Sequence, residues 1–537
     1  MKTLTLLGLL VLLTVTAAHA GITTSGEVTA SSPQTSPVWD LGNGGIMIGN
    51  YGPLPGTLTL TDGAEARMGN LTLHAGTIEV ASGSIITVSA AVPFYIGEYG
   101  DALMAVRGSG SRIEIFDPEL FVGYTGGDNN EAHVLIEDGG YLRSRQTTIG
   151  GASVGLMTVT GADSTWEMWT GELVTIGGLV SGELRVADGG RAQMAALQIS
   201  VEAHGGSLDG SGRITVTGQG STLETGAVIL LSRNGTMIVE DGAYAGTTST
   251  IHVGGAVGYG TLTVTGEDSV LDAHEIRMLA NGTFNIGTGD IAGTVQTTVI
   301  HGDGAGVVNF NHTDKIAAGY TLTDLLQVNK LGSGSTSLTA ANTYTGGTVV
   351  SAGTLLANNL TGSAFGTGAV TVESGASVGG AGFIGGLTTI ESGGRLVAGA
   401  ADHTIGTLTF DAGLVLENGA FLDFDLGATS DLVLITDGMF EVAGAILNFD
   451  AGPGYAPGVY TLLNWTGADA GEFSLTDFEI GSVTLGELSD YSLEIVGTTL
   501  QLTVDAAPIP EPSVVAALAG VGVLGLALWR RRAHPGR

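Results

Sequence analysis

A two-residue step, an apolar residue followed by glycine, returns at almost constant intervals. It occurs at Ile96-Gly97, Val122-Gly123, Ile149-Gly150 and Ile176-Gly177, with glycines 26, 27 and 27 residues apart, and Val253-Gly254 lies 77 further on. A second motif is interleaved with it. Met104-Ala105-Val106-Arg107-Gly108-Ser109-Gly110-Ser111 is matched by Met157 to Ser164, by Ile214 to Ser221 and by Leu262 to Ser269. A third alternates with the second: Ile136-Glu137-Asp138-Gly139, Val186-Ala187-Asp188-Gly189 and Val239-Glu240-Asp241-Gly242. Self-similarity at a fixed period of this size is the mark of a repeat architecture.

Each unit reads as a strand and a turn. Leu262 and Val264 point to one side and Thr263 and Thr265 to the other, a period of two in a segment rich in β-branched residues. The Asp-Gly or Gly-x-x-Ser that follows supplies a turn, since glycine takes positive φ without steric penalty. One such strand cannot cover its own apolar side, but stacking each coil on the next buries a continuous column. We therefore expect an all-β chain built as a right-handed parallel β-helix over residues 21–403, in preference to a set of β-sandwiches. At about 27 residues per coil and about 4.8 Å per coil, it would have ~14 coils and run roughly 65 Å. Residues 404–505 change in texture. Alternating runs such as Leu422-Asp423-Phe424-Asp425-Leu426 and a turn-rich break at Gly452 to Gly458 predict the last coils and a small β-rich cap.

Composition removes several classes of function. The chain has 537 residues with 18 Lys+Arg against 52 Asp+Glu, a net charge of −34, and no cysteine. So anionic a chain is a poor partner for nucleic acid. Without cysteine there is no disulfide framework, thiolate metal site or thiol nucleophile. Ninety glycines, about 17% of the chain, are not in the three-residue period of collagen.

Both ends read as addresses. Met1 to Ala20 holds Lys2, an apolar run and the close Ala18-His19-Ala20, which predicts a secretory signal peptide cut after Ala20. Residues 506–537 form a linker and a three-part tail: Pro510-Glu511-Pro512, an apolar stretch over 513–529, and Arg530-Arg531-Arg532. The stretch is at the short limit for a spanning helix, and the arginines would hold its end in the cytoplasm. In content and order this tail resembles the PEP-CTERM sorting signal of Gram-negative bacteria. The resemblance implies recognition by an exosortase, a membrane protease-transpeptidase, after transient inner-membrane anchoring, with the bulk of the chain left at the cell surface or in the extracellular matrix. It also implies an association with exopolysaccharide and biofilm.

Residues 307–355 carry a second resemblance. Asn309-Phe310-Asn311-His312-Thr313-Asp314 and Asn342-Thr343-Tyr344-Thr345-Gly346-Gly347-Thr348 resemble the passenger-associated transport repeat of autotransporter adhesins, a segment that forms β-helix coils in those proteins. Autotransporters end in a translocating β-barrel. No segment of that size is seen after the repeats here, so the sorting tail is expected to take the barrel's place.

Chemistry is sparse. His74, His133, His204, His252, His274, His301, His312 and His403 are scattered, and His274-Glu275 lacks the second histidine of a zinc helix. Asp138, Asp188 and Asp241 are better explained as turn residues than as calcium ligands. Gly302 to Gly306 lacks the Lys-Ser/Thr ending of a phosphate loop. Trp166 and Trp169, with Tyr95, Tyr124 and Tyr141, offer a candidate sugar-stacking strip. No catalytic, cofactor or metal residue is assigned. The expected function is a non-enzymatic surface or matrix protein that adheres or scaffolds, with secretion machinery, exosortase and extracellular polysaccharide as partners. The alternative is a β-helix lyase or glycoside hydrolase, which two mature lysines and dispersed carboxylates disfavour.

Overall fold

The computed structural model describes residues 22–26, 28–30, 38–49, 54–123, 130–169, 171–199, 210–399, 404–485 and 491–505. These residues are all-β, and among them the single helical element is the short 3-10 turn Leu475–Asp477. Ala18, Ala20, Pro510, Glu511, Pro512, Arg530, Arg531 and Arg532, the expected leader and the 513–529 stretch all lie outside the described residues. So do Tyr124, His204 and His403. No helix among the described residues is long and apolar enough to cross a membrane.

Most coils contribute three short strands, and between the two ends each strand pairs in parallel with a strand one coil away. The first face begins with Gly56–Leu60, Gly76–Val80 and Ala102–Arg107 and continues to Asp469–Ala470 within a 19-stranded sheet. The second and third faces begin with Glu65–Met68 and Asn70–Leu73. They merge into one 22-stranded sheet because Tyr244–Val253 and Val270–Met278 run through the corner between them. Further on they separate, as eight-stranded and six-stranded sheets. Long parallel stacks with this connectivity are those of a β-helix solenoid.

The register explains the repeats. Ile96 lies on Val122, Val122 on Ile149 and Ile149 on Ile176, so the recurring apolar-Gly step is one column of the third face. The glycine after each step turns the chain back to the first face. Gly123, with φ of 76°, shows why it must be glycine: a Cβ there would lie 2.6 Å from the Ser153 carbonyl oxygen. The second and third motifs are successive rungs of the first face. Val106, Ile136, Val159, Val186, Val216, Val239 and Val264 stack in that order, all fully buried. Each such side chain contributes about 1.5–3 kcal/mol when removed from water.

Coil length is not constant. Ala102 lies on Ala132, 30 residues on, while Val370 lies on Thr388, 18 residues on. The stack also runs past residue 403, since Ile390 lies on Leu416 and Leu416 on Val442. The segment 404–505 thus holds further coils and then a reversal of direction. Gly458–Asn464 pairs antiparallel with Thr499–Val504, which pairs antiparallel with Tyr491–Val496. At the other end Ile22–Gly26 pairs antiparallel with Gly56–Leu60, and Val28–Ala30 with Gly45–Ile48. Antiparallel strands at both ends interrupt a parallel edge that would otherwise accept another chain.

Candidate functional site

Among the described residues, polar chemistry gathers in several places, three of which bear on function. The first is inside the rod. The inward column of the first face continues as Ile286, Phe310, Lys330, Val350 and Val372, so a lysine occupies a core position between a phenylalanine and a valine. Lys330 is fully buried and its Nζ donates to the Gly332 carbonyl. Removal from water drives its pKa down to about 8, opposed by the charge of Asp314. His312, also fully buried, sits beside it. Its Nδ1 is 3.1 Å from Asp314 Oδ1 and its Nε2 is 2.7 Å from Thr336 Oγ1. Burial, and then the Lys330 charge, lower the His312 pKa. Asp314 Oδ1 also accepts the Ala292 backbone N–H at 3.0 Å.

The adjoining motif is structural in the same sense. Asn342 Oδ1 accepts the Leu322 N–H at 2.8 Å and its Nδ2 donates to the Ala364 carbonyl at 2.6 Å, which joins three successive coils through one side chain. The Tyr344 ring is fully buried, and its hydroxyl lies 2.6 Å from Thr348 Oγ1. Asn359 ties two coils, accepting the Phe383 N–H at 2.9 Å and donating to Gly362 within its own turn at 2.9 Å. Polar side chains that satisfy buried backbone groups rigidify a core, and nothing in this arrangement reaches solvent. The burial of Lys330 was not read from sequence, although the signal is present. Val308-Asn309-Phe310 and Val328-Asn329-Lys330 are aligned repeats, and the alignment puts Lys330 in the inward phase of Phe310.

The second place is the outer row Leu230, His252, Arg277, His301 and Thr323. His301, Asp303 and Asp324 bring ligand atoms within 4.8 Å of one another. Arg277 already occupies this ground, with Nη1 2.9 Å from Asp303 and Nε 2.9 Å from Glu275. The guanidinium lowers the Glu275 pKa through its hydrogen bond. The row is an ion-pair ladder. The turn residues Asp138, Asp188 and Asp241 are not brought to it. All three adopt positive φ, and Asp188 and Asp241 accept hydroxyls of Thr160 and Thr217, each at 3.1 Å.

The third place is an open groove of about 460 Å³ on the outside of the second face, in the last coils. Arg395, Phe421, Ile446 and Glu479 follow one another in register, and Val397, Asp423 and Asn448 form the next row. Arg395 Nη1 donates to Asp423, Asn448 Nδ2 donates to Asp423 Oδ1 at 2.7 Å, and Asn448 Oδ1 accepts the Ser482 N–H at 2.7 Å. A bulge opens the groove at this end: Leu447 faces Ile480 and Phe449 faces Val483, so Gly481 and Ser482 together oppose Asn448. A Cβ on Gly481 would meet Asn448 Oδ1 at 2.5 Å.

Of the aromatic residues expected to make a sugar strip, those among the described residues are taken up by other contacts. Trp166 is fully buried between Leu142 and Ala192, with Nε1 donating to Ser144 Oγ at 2.9 Å. Trp169 is overlaid by the Arg143 guanidinium, 3.4 Å from the ring centre, and packs on Phe116. The Tyr141 hydroxyl donates to Glu167 at 2.6 Å, and Tyr95 stacks on Phe121.

Part of the buried cluster falls within a segment that matches a known repeat. Residues 328–357, which include Lys330, Thr336, Asn342, Tyr344 and Thr348, match the family model of the passenger-associated-transport-repeat. Over 383 residues, 68% of its length, the chain is 30% identical to the adhesin BmaC autotransporter of Brucella suis biovar 1 (strain 1330). The chain spans about a tenth of the length of that curated relative. A crystal structure of a hyper-glycosylated TibA fragment aligns with 72% of this chain and 98% of its own at 14% identity and a TM-score of 0.17. The chain is therefore similar to an autotransporter-type passenger and carries that passenger's repeat within its stack.

Proposed function

We propose that this protein is an exported surface or matrix protein that adheres or scaffolds without a catalytic centre. The observation that carries the reading is the passenger repeat at 328–357, whose buried polar residues Thr336, Asn342, Tyr344 and Thr348 find their partners inside the coils. Likeness to an autotransporter adhesin supports a surface role, and the acidic composition favours solubility outside the cell. The enzyme reading finds little support in the groove, where Asp423 is engaged by Arg395 and Asn448, and Asp450 by the Thr484 hydroxyl.

Export is proposed to begin with removal of the leader after Ala20. Sorting is proposed to proceed through Pro510-Glu511-Pro512 and the arginines Arg530, Arg531 and Arg532, with an exosortase as partner and extracellular polysaccharide as the surroundings. Mass spectrometry of the protein recovered from the surface of an exosortase-bearing host tests this. The expected product starts at Gly21 and lacks the segment after Pro512; recovery of an intact Arg537 refutes the sorting step. Immunolabelling of whole cells and matrix tests the location, and a purely intracellular signal refutes the function.

A further inference from the structure

The groove in the last coils has the make-up of a site for a small polar ligand rather than of a plain ladder. Phe421, whose ring lies under the Arg395 guanidinium at 4.8 Å from its centre, and Ile446 are half-buried neighbours that leave carbon edges open to solvent. Beside them Asp423, Asn448 and Asp450 line the same space, with Arg395 at one end and the exposed Ser482 at the other. The polar members are fixed by one another through the chain from Arg395 to Asp423, Asn448 and the Ser482 N–H. Such mutual fixing lowers the ordering cost of binding.

We propose that this groove is a subsite for a neutral saccharide. A sugar ring offers a carbon–hydrogen face and hydroxyls that both donate and accept. The groove offers the complement: carbon surface from Phe421 and Ile446, carboxylate acceptors at Asp423 and Asp450, and donors at Arg395 and Asn448. Charge selects among saccharides. Two carboxylates stand against one guanidinium that is already paired, on a chain of net charge −34, so acidic glycans are repelled. The site is open at its surface, as a subsite on a polymer must be.

This inference rests on the adhesion reading and names a ligand class for it. The test is titration of the full chain by calorimetry with cellohexaose, laminarihexaose and mannohexaose as neutral probes and with oligogalacturonate as the acidic one. At least one neutral probe is expected to bind, with oligogalacturonate at least about tenfold weaker. Phe421→Ala and Asn448→Ala should each weaken the neutral probe by about tenfold or more. Asp450→Asn, which keeps shape, should weaken it with an unchanged thermal midpoint, and Thr371→Ala on the first face should leave it unchanged. Absence of neutral binding by the wild type, equal binding by all variants, or preference for oligogalacturonate overturns the proposal. Surface labelling of cells that express the groove variants separates the two readings. Variants that stay on the surface but lose the sugar leave the adhesion reading standing and support the groove. Variants that keep both refute the groove alone.

Discussion

The hydroxyl of Ser164 accepts the backbone N–H of Gly139 at 3.0 Å, across 25 residues of sequence and one coil of the rod. The same bond joins Ser221 to Gly189 and Ser269 to Gly242, each at 3.0 Å. All three serines are fully buried. The serine that closes one motif is therefore the partner of the Asp-Gly turn that closes the other, which is why the two motifs alternate. Replacing Ser164 by alanine leaves the half-buried Gly139 N–H without this partner, at about 0.5–1.5 kcal/mol. Denaturant titration should show a lower midpoint, and hydrogen exchange should show faster loss of protection at Gly139 than at Gly189.

Asn342→Ala removes both bonds that tie Leu322 and Ala364 to the coil between them. Two buried backbone groups lose their partners, so the expected cost is about 2–5 kcal/mol. Asn342→Asp should keep only the bond to Leu322 and set a buried carboxylate against the Ala364 carbonyl, so its thermal midpoint should also fall below that of the wild type.

Lys330 gives a pH dependence with a definite sign. Its folded pKa of about 8 lies below the usual value of 10.5, so between those values the unfolded chain binds the proton and the folded chain does not. The lysine's destabilising effect is complete below about pH 8 and disappears as pH rises through 10.5. Lys330→Met fits the same column beside Phe310 and Val350 and should stabilise the protein at pH 7 by about 1–4 kcal/mol. The gap between variant and wild type, read from denaturant titrations at pH 7 and 10.5, should close at the higher pH. A gap independent of pH would show that the ammonium is not what the core excludes.

Gly123→Ala tests the turn that carries the recurring apolar-Gly step. Positive φ and the close Ser153 carbonyl oppose any side chain, and a loss of about 1–3 kcal/mol or more is expected. Gly63→Ala, at a similar φ of 74° but with open space around the new methyl, should cost less. The difference in denaturation midpoint isolates the steric part.

Much of the solenoid was legible because its physics is local and repeated. Val159 and Thr158 declare the two sides of a strand by alternation, and Gly161, at φ of 86°, declares the turn. Recurrence at a near-constant spacing then requires stacking, since a lone strand leaves Val159 wet. The tertiary structure decided what alternation cannot carry. Lys330 keeps the inward phase of its strand despite its charge because the register with Phe310 and Val350 is held by the neighbouring rungs, and a shift of one residue would turn Val328 outward with it. Trp166 reads as a surface aromatic until Ala192, one coil on, is seen to leave room for its indole. The groove depends on a two-against-one bulge at Gly481 and Ser482, a mismatch between two strands that neither strand's sequence contains. Periodicity fixes which side of a strand is apolar, whereas the meeting of residues 18 to 34 positions apart is a property of coil length and register.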